Sequence, residues 1–406
     1  MRSDRMQTLE LRHYTLSTCL GLGREENWAR LAARAGNLKP CDFDTVQLPT
    51  WIGEVRDVDQ VQLSPELADF DCRNNRLAQL ALQQDGFEQA VRAVIEQVGA
   101  ARVGCYLGTS TAGILQTELA YRRRELDADG KPGALPADFH YGETHNTYSL
   151  AAFVSAYFGL RGPALTVSSA CSSSAKVFGN AARMIEAGVI DAAIVGGVDT
   201  LCLTTLYGFN SLQLLSPEPA RPYDETRCGI SIGEGAAFAL LLRAPAQAEP
   251  GTVLLHGVGE SSDAHHMSSP HPQGLGAQMA MHAALSSAGL TPDRIGYINL
   301  HGTATPSNDA AEGKAVHAVF GAHTPCSSTK GATGHTLGAA GAVEAAICAM
   351  ALTRGELPAG INTTRLDAEL DVDYLLDNRR VAIDYALNNS FGFGGSNCSL
   401  VLGVVR

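Results

Sequence analysis

Three side chains have the type and setting for covalent chemistry. Cys171 lies in Val167-Ser-Ser-Ala-Cys-Ser-Ser-Ser174, between an apolar segment of strand type and an Ala-rich segment of helical period. A thiol at a helix N-terminus meets free backbone N–H groups and the positive end of the dipole, which favour the thiolate. Small Ser and Ala neighbours leave room for a substrate. His301 ends a strand-like run in Asn299-Leu-His-Gly-Thr-Ala-Thr-Pro, and His335 opens a helix of small residues in Lys330-Gly-Ala-Thr-Gly-His-Thr-Leu-Gly-Ala-Ala-Gly341. Taken singly, each has a plainer reading, an inert buried thiol or a structural histidine. Three such groups on turns of one kind point instead to a nucleophile served by two imidazoles.

Charged and glycine-rich segments flank them. Lys330 sits among small residues, where an unpaired ammonium is costly, so it calls for Glu344 or Glu312 as a partner. Asn388-Asn-Ser-Phe-Gly-Phe-Gly-Gly-Ser-Asn397 has neither a Walker nor a Rossmann layout; its glycines let backbone N–H groups aim at a developing negative charge. His265, His266 and His271 crowd near Asp263, but their spacing matches no metal motif and the stretch is rich in Ser, Pro and Gly, so it reads as an exposed loop.

The elements that must hold these turns follow an α/β pattern. Strands are expected at 102–107, 164–167, 192–195 and 295–300, and helices at 88–98, 174–187, 277–288, 310–320 and 338–353, with Gly130 to Ala137 as a surface loop. A weak internal repeat accompanies the pattern. The strand, turn and helix around Cys171 have the shape of those around His335, and Val103 to Thr111 has the shape of Ile295 to Thr305. Two similar halves facing each other across one site would explain both.

Composition sets the outer limits. The 406 residues are 45% hydrophobic and 18% charged, an ordinary globular balance for two or three packed lobes. Lys+Arg 30 against Asp+Glu 42 gives a net charge of -12, which disfavours nucleic acid as a partner. An acidic carrier protein docking on a local basic patch is compatible with it. With no long uncharged apolar run and no leader-like start, the expectation is a cytoplasmic protein without a membrane span. The ten cysteines are scattered, with no Cys-x-x-Cys pair, and read as reduced.

Together, Ser-Ala-Cys-Ser-Ser-Ser around Cys171, His-Gly-Thr-Ala-Thr-Pro from His301, the segment from Lys330 and Asn-Ser-Phe-Gly-Phe-Gly-Gly-Ser-Asn from Asn389 resemble the β-ketoacyl-[acyl-carrier-protein] synthases of type I/II, from about Leu63 onward. Arg221-Pro-Tyr-Asp-Glu-Thr-Arg227 and Gly233-Glu-Gly235 match that family's middle segment. The resemblance implies a thiolase fold of five αβαβα layers in two similar halves, here 1–245 with the cysteine and 246–406 with both histidines.

It also implies roles. Cys171 resembles the nucleophile that holds an acyl chain as a thioester. His301 and His335 resemble the pair that promotes decarboxylation of malonyl carrier protein, and Lys330 with Glu344 the supporting ion pair. Backbone N–H groups of Cys171 and Phe393 resemble the oxyanion hole, Phe393 the gate, and Thr303 and Thr305 the threonines that hold the pantetheine arm. No metal or other cofactor is implied, because 4'-phosphopantetheine arrives on the carrier. The expected partners are acyl- and malonyl-loaded carrier protein and a second ketosynthase chain, identical or of chain-length-factor type.

The sequence departs from the family at its opening, Tyr14 to Gly23, at Cys228 in place of a common Asp, and in the serines after Cys171. Pro40-Cys-Asp-Phe-Asp44 and Thr50-Trp-Ile-Gly53 resemble ketosynthases of aryl-polyene and related specialised pathways. A non-catalytic chain-length subunit is the alternative, opposed by the joint presence of Cys171, His301 and His335. A degradative thiolase would need a second reactive cysteine, for which Cys398 stands just outside the glycine-rich turn.

Overall fold

The computed structural model describes residues 5–406. Ten strands form two arrays: β1 (Leu9–Thr18), β2 (Val103–Gly108), β3 (Ala164–Val167), β4 (Ala192–Asp199) and β5 (Gly235–Arg243), then β6 (Val253–Ser262), β7 (Tyr297–Asn299), β8 (Pro325–Ser327), β9 (Tyr385–Gly392) and β10 (Ser396–Val404). The first array has the order β3-β2-β4-β5-β1 and the second β8-β7-β9-β10-β6. Their ladders agree as well. In each array the third and fourth strands run parallel to the second, and the fifth lies antiparallel between the fourth and first. The weak sequence repeat is thus a duplicated topology.

Strands β1 and β6 pair at Leu9↔Leu255 and Glu10↔Leu254, joining the arrays into one 12-stranded sheet with the edge strand Asp373–Tyr374 and the short strand Gly21–Leu22, which pairs with β1. The helices that pack on it are α1 (Arg73–Leu82), α2 (Phe87–Val98), α3 (Ser149–Phe158), α4 (Ser173–Glu186), α5 (Leu275–Ala288), α6 (Pro306–Phe320) and α7 (Ala340–Arg354). α4 and α7 touch each other and strands of both arrays. α1, α2 and α3 cover the outer face of the first array, and α5, with α6 against it, that of the second. The result is the five-layered αβαβα order.

Sequence explains the central layer. α7 is buried from Ala340 to Leu352, and its run of Ala and Gly lets strands of both arrays and a second helix approach it. A Cβ on Gly341 would come within 2.7 Å of the Ala175 nitrogen and Cβ, so only glycine admits α4 there. The stretch Leu337–Arg354 is the one helix among the described residues long and apolar enough to cross a membrane, and 89% of it is buried in this core. Strand β4 is buried at every residue, which explains its continuous apolar run without alternation.

Two of the boundaries that differ from the sequence expectation bear on the site. β7 is shorter than the expected 295–300, preceded by a 3-10 turn at Pro292–Arg294 and followed by His301, whose N–H turns from the sheet to the Glu312 carboxylate. α6 begins four residues before Ala310, because Pro306 occupies its first turn with a preset φ and no N–H to satisfy. Gly130 to Ala137 carries no helix or strand of its own.

Candidate active site

Cys171 stands between β3 and α4, 5% exposed, after Ala170 in a left-handed backbone conformation (φ 53°). That turn lifts the sulfur off the sheet toward the second half of the chain. His335 comes from that half. It follows the helical turn Lys330–Thr333 and Gly334, and its backbone is strapped by His335 N–H to Ser231 O at 2.8 Å and Gly233 N–H to His335 O at 2.9 Å. Its Nε2 lies 3.0 Å from Cys171 Sγ.

The partner on the other ring nitrogen decides the tautomer. Leu337 N–H donates to His335 Nδ1 at 3.2 Å, so the neutral ring carries its proton on Nε2, toward the sulfur. His301 is arranged alike, with Lys330 Nζ 3.5 Å from its Nδ1. The two rings stand edge to face with centroids 5.4 Å apart. Burial and the nearby Lys330 charge hold both imidazoles well below their ordinary pKa, His301 also through His335, so both are neutral donors.

Lys330 chooses Glu344 of α7 for its ion pair, the two being 1% and 3% exposed. Glu312 has another task. Its carboxylate accepts the N–H groups of His301 at 2.8 Å and Gly302 at 2.7 Å, clamping the turn that carries the imidazole. Three residues along the same α6 face, Asp309 accepts N–H groups of Tyr223 at 2.9 Å and Ala304 at 3.2 Å. Sequence reasoning named Glu312 only as a candidate for Lys330 and passed over Asp309. The available signal was their i, i+3 spacing at the start of a helix beside a Gly-Thr turn.

One expectation is corrected. The helix N-terminus was expected to favour the Cys171 thiolate, yet burial pushes the thiol up to about 11, against the pull of the Lys330 charge and an N–H from Phe393. The resting group is a thiol, because desolvation of the anion outweighs the cationic neighbour. Cys398, the other candidate, is wholly buried in the central core within β10, and burial raises its thiol too.

A cleft of about 600 Å³ leads from the surface to Cys171, His301 and His335, lined along the way by Thr303, Thr305 and Phe393. The two threonine hydroxyls are 2.9 Å apart. Phe393 is 37% exposed at the rim and its ring packs on Phe209 with centroids 5.8 Å apart. The remaining candidate cluster stays outside, with His265 and His266 exposed and His271 half-buried in a loop. Ligand-capable atoms of Cys171, His301 and His335 lie within 4.8 Å of one another. The Lys330 ammonium at His301 and the protonated Nε2 atoms make the trio a set of donors for a substrate oxygen, an environment that repels a cation.

Comparison with known proteins finds a matching family. Residues 16–247 match the family "Beta-ketoacyl synthase, N-terminal domain" and residues 253–364 match "Beta-ketoacyl synthase, C-terminal domain". A 3-oxoacyl-[acyl-carrier-protein] synthase 2 of Coxiella burnetii is 35% identical over 405 residues, covering 94% of this chain and 95% of its own. Nodulation protein E of Rhizobium meliloti is 35% identical over 309 residues, covering 74% and 75%. Among solved structures, the ketosynthase ApeO in complex with its chain length factor ApeC from Xenorhabdus doucetiae superposes with TM-score 0.89 at 38% identity, covering 98% of each chain. The ishigamide ketosynthase/chain length factor superposes with TM-score 0.88 at 26% identity, covering 99% of this chain and 100% of its own.

Proposed function

This chain belongs to the beta-ketoacyl synthase family and has its thiolase-like α/β fold, and from that premise we propose how its residues divide the reaction. The protein is an acyltransferase, a β-ketoacyl-[acyl-carrier-protein] synthase that extends an acyl chain by decarboxylative condensation with malonyl carrier protein.

Cys171 is the nucleophile. Its sulfur bonds to the acyl carbon as the carrier's carbon–sulfur bond breaks, and the thiol proton leaves with the carrier's sulfur, so no external base is required for balance. The carrier's pantetheine arm occupies the cleft beside Thr303 and Thr305, with Phe393 as gate. Malonyl thioester then loses CO2, and the electron pair passes into an enolate whose oxygen accepts from the Nε2–H groups of His301 and His335. The enolate carbon attacks the acyl group on Cys171, the carbonyl oxygen being held by N–H groups of Cys171 and Phe393. The departing thiolate regains a proton from water. Lys330, paired with Glu344, keeps Nδ1 of His301 an acceptor and so holds the active tautomer. The chemistry uses no cofactor of the protein's own.

The observation that carries this reading is the 3.0 Å approach of His335 Nε2 to Cys171 Sγ, with the His301 ring beside it. A non-catalytic chain-length role would leave that assembly without use. The substrates are acyl- and malonyl-loaded carrier protein. The second chain is a like copy or a chain-length-factor-like ketosynthase, and relatives solved in ketosynthase/chain length factor complexes support the latter. Strand β3 is paired on one side only and offers a sheet edge for it. The segments at 40–44 and 50–53 support a specialised pathway, aryl polyenes among them. The ten free cysteines fit the cytoplasm, and we divide the halves at 245/246.

Intact-mass spectrometry of wild type and Cys171→Ala after incubation with acyl carrier proteins of several lengths, alone and with a partner ketosynthase, tests the assignment. An acyl adduct on wild type that is absent from the variant supports it. Absence of any adduct in both settings sinks it.

A further inference from the structure

The carboxylate of Asp199 ends β4 wholly buried, with no role in the scheme above. It accepts five different donor groups from two separate parts of the chain. Oδ1 takes the Thr109 hydroxyl at 2.6 Å, the Ser110 and Thr111 N–H groups at 2.8 Å each, and the Thr111 hydroxyl at 2.8 Å. Oδ2 takes the Gly338 N–H at 2.5 Å and shares the Ser110 N–H at 3.0 Å. A buried carboxylate so fully partnered is an anchor, and the elements it anchors identify its purpose.

On the Oδ1 side, Ser110 Oγ donates to Ala170 O at 3.3 Å. Ala170 is the strained residue directly before Cys171. On the Oδ2 side, Gly338 follows Leu337, which is also left-handed (φ 51°) and whose N–H holds Nδ1 of His335. One side chain therefore ties the turn bearing the nucleophile to the turn bearing the imidazole, across the seam between the halves. Gly338 itself records how tight the tie is. A Cβ there would stand 2.8 Å from Asp199 Oδ2 and 2.6 Å from Ser110 Oγ.

We propose that Asp199 is a positioning residue of the condensing site, which fixes the sulfur of Cys171 against Nε2 of His335 by holding both strained turns on one carboxylate. The inference rests on the reading of Cys171 and His335 given above. Because Oδ1 alone takes the Thr111 N–H and Oδ2 alone takes the Gly338 N–H, an amide cannot replace the carboxylate. Whichever way an Asn side chain is flipped, its NH2 faces either Gly338 N–H or the 109–111 donors, leaving donors opposed.

The test compares Asp199→Asn and Ser110→Ala with wild type in three assays: Cys171 acylation, malonyl decarboxylation, and iodoacetamide alkylation of Cys171 as a function of pH. Charged and titratable groups facing the sulfur are Lys330, Glu344, Asp199, His301 and His335. Asp199→Asn removes a negative charge that opposes the thiolate, so its alkylation profile moves to lower pH while kcat for condensation falls about tenfold or more at little changed KM. Ser110→Ala keeps the charge and loses only the tie to Ala170; acylation falls about threefold or more, with decarboxylation and the alkylation profile unmoved. Acylation unchanged in Ser110→Ala overturns the proposal, as does a folded Asp199→Asn with wild-type kcat and profile. If Asp199→Asn does not fold, Ser110→Ala decides alone. Wild-type acylation in the same experiment tests the underlying reading separately, and the alkylation assay does not depend on it.

Discussion

His335 Nε2 and Cys171 Sγ are 3.0 Å apart although 164 residues separate them in the chain and each belongs to a different half. With Nδ1 occupied by the Leu337 N–H, the imidazole can only donate at this position while neutral. Its contribution in the proposed reaction is thus a hydrogen bond to developing negative charge. His335→Ala is expected to lower malonyl decarboxylation by about 10²–10³, the range for loss of one preorganised donor. His335→Gln, whose amide keeps an N–H, should retain more activity than alanine. The rate of CO2 release checks both; equal loss in the two variants would contradict a donor role.

The Lys330–Glu344 pair is the most costly feature of the site to break. Both groups are buried, and burial holds the Glu344 carboxyl above the usual carboxylate range even against the pull of Lys330. Removing one partner strands the other, so Lys330→Met is expected to destabilise the protein by about 3–5 kcal/mol. The double variant Lys330→Met with Glu344→Leu should recover part of that stability without recovering condensation, because Nδ1 of His301 has lost its donor. Chemical denaturation beside a condensation assay separates the two effects.

Much of this arrangement was legible in the sequence, for reasons that can be named. The small-residue turns at Cys171, His301 and His335 each interrupt an apolar run, and the repeat between 164–171 and 325–335 is visible because both encode the same strand, turn and helix. The partner of Lys330 could not be read, since Glu312 and Glu344 are equally plausible by type and only the placing of α6 on α5 and of α7 in the central layer tells them apart. Asp199 was missed because an acidic residue closing a strand looks like a surface cap. The state of the thiol was misread for a related reason. A helix terminus is visible in sequence, but the burial that opposes it comes from residues far along the chain.

That burial gives the thiol a distinctive pH behaviour. The Cys171 pKa is raised to about 11, so its alkylation should increase steadily from pH 8 toward 11 instead of levelling near 8 or 9. The stability sign follows from the same shift. A thiol raised in the folded state favours folding below its unfolded pKa, near 8.5, and this contribution declines as pH rises toward 11. Cys171→Ala should therefore be less sensitive to alkali between about pH 9 and 11 than wild type. Thermal melts across that window would show it, and parallel slopes for the two proteins would refute it.

In the proposed scheme Phe393 gates the cleft. Its ring is partly exposed over the cleft and rests on Phe209. Phe393→Ala should cost little stability yet speed alkylation of Cys171 by a bulky maleimide about fivefold or more, with a smaller gain for iodoacetamide. Equal acceleration of the two reagents would indicate a change in the thiol itself, and the gating role would be lost.

Glu312 offers the sharpest test of how the His301 turn is held. Its two oxygens accept the consecutive N–H groups of His301 and Gly302, and burial raises its carboxyl to about 7 despite both bonds. In Glu312→Gln one of those N–H groups must face an amide NH2, so a buried donor loses its partner at a cost of about 1–3 kcal/mol. The turn then relaxes and the imidazole drifts from its station beside His335. Decarboxylation should fall while acylation of Cys171, which does not use His301, stays close to wild type. Loss of both reactions in equal measure would mean that Glu312 supports the fold of the half as a whole and does not specifically station His301.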